Sequence, residues 1–255
     1  MCIKQKLIFF ISFFILSNTI LFAQDDPSEC KQYPKDAKTV LKKKLGKMYD
    51  SLVRLKEEGD IDSDYLTDSE FKNLSSYESF VYCLLFPEMF SQNCSVEEEL
   101  DEEKYWDQNA ESKSIKPELR VYGYISTYDD FSLSDRQVEK LKRNRSQVIQ
   151  YIKQNVEGKR YVPCNYKSIL IQTNAIESIP WLISFFNNNS NKKDKDILTV
   201  LCSLMYESKY KPFIESKSCA KMYLNLKRTD YIEFNSANIK LTFERAMAFY
   251  NSRYK

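Results

Sequence analysis

From residue 36 onward the chain repeats apolar residues at helical intervals. Leu41, Leu45, Met48, Leu52 and Leu55 follow at steps of 4, 3, 4 and 3, which places them on one helix face. Lys42, Lys43, Lys44, Lys47 and Arg54 fall largely off that stripe, and Gly59 is suited to the left-handed cap that would end the helix. A second helix is predicted from Thr67. Thr67 and Glu70 fit a capping box, in which each side chain satisfies an orphan amide of the first turn. Phe71, Leu74, Val81, Leu84 and Leu85 continue it, and Pro87 ends it. The run Phe80 to Phe86 is apolar nearly all round, which predicts a buried helix. Ser134 and Gln137 form another capping-box match. Val138, Leu141, Val148, Ile152 and Val156 follow it, with Arg145 in one stripe position and Gly158 at the end.

Farther along, Pro180 must break a helix or start a new one after Ser178. Asn187 to Lys193 is polar and reads as a loop. Asp194 or Asp196 can cap a helix carrying Ile197, Leu198, Leu201, Leu204 and Met205, and Pro212 punctuates again. A last helix starts near Asn235. Residues 119–131 fit two periods. Leu119, Val121, Gly123 and Ile125 alternate like a strand, whereas Leu119, Tyr122 and Ile125 with Pro117 at a first helical position fit a helix, which we prefer. Asn-Gly and Asp-Gly hairpin signals are absent. The expectation is an all-α chain: a multi-helix globular or irregular solenoid-like bundle, linked by disulfides.

The first 23 residues follow different rules. Lys4 and Lys6 precede an apolar run from Leu7 to Leu16, and a cut after Ala23 is plausible. This reads as a signal peptide, too short to span a bilayer comfortably. Residues 24–35 then form an extended leader, and residues 36–255 a single α-helical domain with a possible sub-boundary near 107–116. Two lysines leave with the signal, which brings 38 basic residues down to 36 and matches the 36 acids. A neutral chain is a poor nucleic-acid ligand, so Lys140, Lys142, Arg143 and Arg145 read as a solvated face. No membrane span is expected in the mature chain. The location is extracytoplasmic: secreted or periplasmic.

Export makes the cysteines matter. Cys30, Cys83, Cys94, Cys164, Cys202 and Cys219 remain after the signal, and an even number in an oxidising compartment suggests disulfides. The short loops favour Cys83 with Cys94 and Cys202 with Cys219, which would leave Cys30 with Cys164.

Candidate chemistry is narrow. The chain has no histidine, which removes imidazole bases and histidine metal ligands. Its 4 glycines build no phosphate loop. Asp60, Asp62, Asp64 and Asp68 take relative positions 1, 3, 5 and 9 of a calcium loop, but Tyr65 stands where glycine is needed and Phe71 where a bidentate acid is needed. They are a weak calcium candidate, and no cofactor is expected. Paired carboxylates survive as a catalytic possibility; Glu103 or Asp107 beside Tyr105 and Trp106, and Glu177 beside Trp181, are the local sets. No catalytic residue is singled out. The first expectation is an exported, non-enzymatic helical binding protein that recognises another protein or an envelope component. A histidine-independent hydrolase using paired carboxylates and an apolar-ligand carrier are the alternatives.

Overall fold

The computed structural model describes residues 31–58, 65–90, 115–125, 131–188, 193–224 and 231–254. The signal segment, Gly59, Asp60, Asp62, Asp64, Cys30, Cys94, Tyr105 and Trp106 lie outside them. The chain is mostly helical. Helix α1 spans Ala37–Leu45 and α2 Lys47–Glu58. The leucine stripe therefore runs over two helices. Gly46 separates them at φ +57°, a backbone position that disfavours side chains.

The second predicted helix is also two: α3, Asp68–Lys72, and α4, Ser76–Leu85. Each has its own capping box. Glu70 Oε2 accepts from the Thr67 amide at 2.8 Å, and Glu78 Oε2 from the Ser75 amide at 2.7 Å. The second box went unread because the apolar stripe continues through the break. Replacing either Thr67 or Ser75 with alanine should cost about 1 kcal/mol in urea denaturation, because the backbone amide of Glu70 or Glu78 loses its hydroxyl acceptor.

The third predicted helix divides at Asn144 into α5, Asp135–Arg143, and α6, Arg145–Asn155. Its predicted box is present: Ser134 and Gln137 cap one another. Beyond it come α7 (Cys164–Gln172), α8 (Ile179–Asn188), α9 (Asp196–Glu207) and the short α10 (Lys211–Ile214) and α11 (Lys217–Cys219). Pro180 lies in the first turn of α8, which starts after Ser178. Neither Asp194 nor Asp196 caps α9; Lys195 holds that position without a side-chain bond. A single π turn, Ala220–Leu224, precedes α12, Ser236–Tyr254.

Two helices carry the interior. Residues 79–85 of α4 and 197–205 of α9 are buried on every side. Helices α1, α5 and α6 pack on α4, while α7, α8 and α12 pack on α9. Phe80 and Tyr166 meet between the two groups, ring centroids 5.9 Å apart. The buried apolar side chains form one continuous cluster among the described residues.

The helical reading of residues 119–131 is corrected. After a 3-10 turn at Pro117–Leu119, residues Arg120–Tyr122 form strand β2, and residues 126–130 lie outside the described residues. The alternating pattern prevails because a partner exists far along the chain: strand β4, Tyr231–Glu233, pairs antiparallel with β2. A second small ladder joins β1, Met89–Phe90, to β3, Phe131–Ser132.

Candidate functional site

The β2–β4 ladder has two unlike faces. Its register sets Arg120 opposite Glu233, Val121 opposite Ile232 and Tyr122 opposite Tyr231. Successive strand side chains point to opposite sides. Val121 and Ile232 are buried in the core, so the tyrosines and Arg120 line the outer face. The Tyr122 and Tyr231 rings lie 6.1 Å apart and edge to face. Tyr124 adds a third ring 5.6 Å from Tyr122. The Arg120 guanidinium sits 4.9 Å over the Tyr231 ring, a cation–π distance, while its Nε donates to the Ile115 carbonyl at 2.7 Å. Tyr124 is 47% exposed, and Leu224, at the end of the π turn that packs on β4, is 57% exposed.

This face is held rigidly from behind. Thr199 on α9 donates its hydroxyl to the Tyr122 carbonyl at 2.9 Å. Gly123 passes so close to the π turn that a Cβ there would meet the Met222 carbonyl oxygen at 2.6 Å. Only glycine fits that crossing. Beneath it Tyr223 stacks on Tyr206, centroids 4.1 Å apart and nearly parallel, and its hydroxyl meets Ser203 at 3.1 Å. Burial pushes the Tyr223 phenol well above its ordinary pKa, so it stays neutral.

The other sequence candidates among the described residues are engaged by the chain itself; Glu103 and Asp107 lie outside them, as do Tyr105 and Trp106. Asp68 opens α3 and pairs with Arg136 at 2.8 Å, which holds its carboxyl below the usual range. Asp60, Asp62 and Asp64 lie outside the described residues, and no cluster of three acids or cysteines suited to a metal occurs among the described ones. In the basic group of α5 and α6, Lys142 and Arg143 are exposed, as a solvated face requires, while Lys140 and Arg145 are half-buried. Lys140 donates to the Lys72 carbonyl, Lys142 pairs with Glu139, and Arg145 turns inward to Glu177.

Glu177 faces the Arg145 guanidinium and the Tyr254 phenol rather than a second acid, and Trp181 carries the Lys153 ammonium 5.7 Å from its ring. The opposed carboxylates that a hydrolase of this kind needs do not form at Glu177. Two acids do meet at Lys167. Its Nζ lies 2.7 Å from Asp194 and 3.1 Å from Asp196, and the second Asp194 oxygen accepts from the Val162 amide at 2.9 Å. Both Asp194 oxygens are taken by the chain, which makes this a structural tie.

Cys83, Cys202 and Cys219 are buried free thiols, so the expected Cys83–Cys94 and Cys202–Cys219 bridges are corrected. Burial raises the pKa of each thiol, that of Cys202 to about 12, and a buried neutral thiol packs as a small apolar group. Cys164 is not a free thiol.

The alternation at Leu119, Val121, Gly123 and Ile125 was the one signal in the sequence for the outer tyrosines. Nothing local marked residues 231–233 as the partner strand. No helix among the described residues is long and apolar enough to cross a membrane. No protein-family model matches the chain, and no curated protein or solved structure matches it.

Proposed function

We propose that this chain is an exported binding protein that docks a protein partner on the outer face of the β2–β4 ladder. The observation that carries the reading is the grouping of Tyr122, Tyr124, Tyr231 and Arg120 on one rigidly backed surface. Tyrosine and arginine dominate the energetic centres of protein interfaces, where a flat ring covers apolar area and loses little rotamer freedom. The exposed Leu224 beside them extends the apolar area. This surface belongs to a small sheet rather than to a helix, which refines the helical docking surface expected from the sequence. The absence of a histidine and the engagement of Glu177, Asp194 and Lys167 by their own chain favour binding over hydrolysis.

The test compares wild type with the Tyr122→Ala/Tyr231→Ala variant as baits in extract of the natural source, with mass spectrometry of what each retains. A partner held by wild type should bind the variant at least about 30-fold more weakly, with the far-ultraviolet spectrum unchanged. Equal capture by both baits would refute the surface; turnover on a glycan or peptide panel without any partner would favour the hydrolase. Export is tested separately by N-terminal sequencing of the natural protein, which should begin near Gln24.

A further inference from the structure

We infer that the outer edge of β4 takes an extended segment of the partner as a third strand, with a basic residue two places before an aromatic one. This assignment rests on the proposed docking face and gives its partner a chemistry. The Phe234 amide donates to the Leu119 carbonyl at 2.7 Å. Bonded and non-bonded pairs alternate along an antiparallel ladder, so the next bonded pair is Val121 with Ile232. Arg120 and Tyr122 therefore turn their backbone groups to one outer edge, and Tyr231 and Glu233 turn theirs to the other.

The two edges differ. That of β2 is engaged from within the chain: the Arg120 amide donates to the Pro117 carbonyl, and the Tyr122 carbonyl accepts from Thr199. On β4 the Glu233 carbonyl accepts from the Asn235 amide at 3.0 Å and from the Asn238 Nδ2 at 2.9 Å. The Tyr231 amide, the Tyr231 carbonyl and the Glu233 amide have no hydrogen-bond partner among the described residues. Glu233 is exposed and Tyr231 half-buried, so solvent reaches this edge.

Such a row of backbone groups fits the backbone of another strand, as in strand addition at a sheet edge. A helix satisfies its own backbone and offers no matching row. An antiparallel strand engages all three groups; a parallel one engages only the Tyr231 carbonyl and the Glu233 amide. The incoming side chains beside Tyr231 and Glu233 share the outer face, because alternate residues do. The one beside Tyr231 continues the ring row from Tyr122, which suits an aromatic residue. The one beside Glu233 meets a carboxylate that makes no ion pair among the described residues, since the cross-strand Arg120 is held over the Tyr231 ring. A lysine or arginine answers that charge, and in an antiparallel strand it comes first.

The full chain is immobilised, and random heptapeptides displayed on phage are selected on it. The enriched peptides should share the basic and aromatic residues at that spacing. Made with a fluorescein label, they should bind in solution and slow the exchange of the Tyr231 and Glu233 amides. Glu233→Pro removes the edge donor, leaves the bonds between β2 and β4 in place, and should weaken the peptides at least about 10-fold. Glu233→Lys, which keeps the backbone donor, should weaken them about 10-fold, and glutamate in place of their basic residue should restore the affinity. Selection without that spacing, unchanged affinity in the Glu233 variants, or wild-type dimers that Glu233→Pro dissolves would overturn the third strand. Peptides weakened by Tyr122→Ala but not by the Glu233 variants would leave the face standing without the edge. Peptides weakened by the Glu233 variants alone would keep the edge and refute the face.

Discussion

Replacing Arg136 with methionine should lower the free energy of unfolding by about 3–5 kcal/mol, a fall of roughly 10 °C in melting midpoint. Its partner Glu88 has a side chain only 4% exposed. Arg136 grips it with two bonds, Nε to Oε2 at 2.8 Å and Nη2 to Oε1 at 2.6 Å. Ser134 and Tyr82 donate their hydroxyls to the same carboxylate at 2.6 and 2.9 Å. The arginine also donates to the Leu66 carbonyl and stacks 5.1 Å over Phe71. Three segments, those before α3, after α4 and at the start of α5, therefore converge on one ion pair. Without the guanidinium, a buried carboxylate keeps only neutral donors and faces the desolvation cost of its charge. The Glu88→Leu/Arg136→Met double variant should lose less than the sum of the two single losses, because no charge is then stranded. Urea denaturation measures all three; a single-variant loss below about 1 kcal/mol would mean that water reaches Glu88.

Lys167→Met should be comparably damaging, with about 3–5 kcal/mol lost and the loop before α9 released from α7. Lys167 and Asp194 have side chains 4% and 5% exposed. Burial works against the lysine's charge, but Asp194 and Asp196 outweigh it and raise its pKa above the ordinary 10.5. The sign of the pH dependence follows. A raised folded pKa gives stability that is complete below pH 10.5 and is lost as the pH rises beyond it. At Asp196 burial raises the carboxyl, but Lys167 more than offsets it, so the net shift is below 3.8 and the matching loss comes in acid. At Asp194 burial outweighs Lys167 and raises the carboxyl, which opposes Asp196 in acid, so the signature lies on the alkaline limb: the melting midpoint should fall above pH 10.5 in wild type and fall less steeply in Lys167→Met. Parallel wild-type and variant curves would refute the role of the lysine.

The elements legible in the sequence were those with local causes. The capping boxes at Thr67 and Ser134 involve residues three apart, and both are present. The all-apolar run in α4 is buried as its composition requires. The breaks at Gly46, before Ser75 and at Asn144 were hidden, because the apolar stripe keeps its phase across each of them. The outer tyrosines were half legible. Alternation marked β2, but a strand of three residues is stable only with its partner, and that partner lies near the other end of the chain. Asp68 shows the same limit. Read locally it looked like a ligand, whereas its countercharge Arg136 is supplied from 68 positions away.

That distance between β2 and β4 has a consequence for how the molecule comes into being. Residues 120–122 leave the ribosome well before residues 231–233 exist, an interval of about ten seconds at ordinary elongation rates. Meanwhile α3 and α4 have their capping boxes within reach, and α1, α5 and α6 are free to pack on α4. Closing so long a loop carries an entropic cost that only the finished C-terminal packing offsets. The tyrosine–arginine face is therefore assembled late, so a truncated or still-nascent chain would display helices without it.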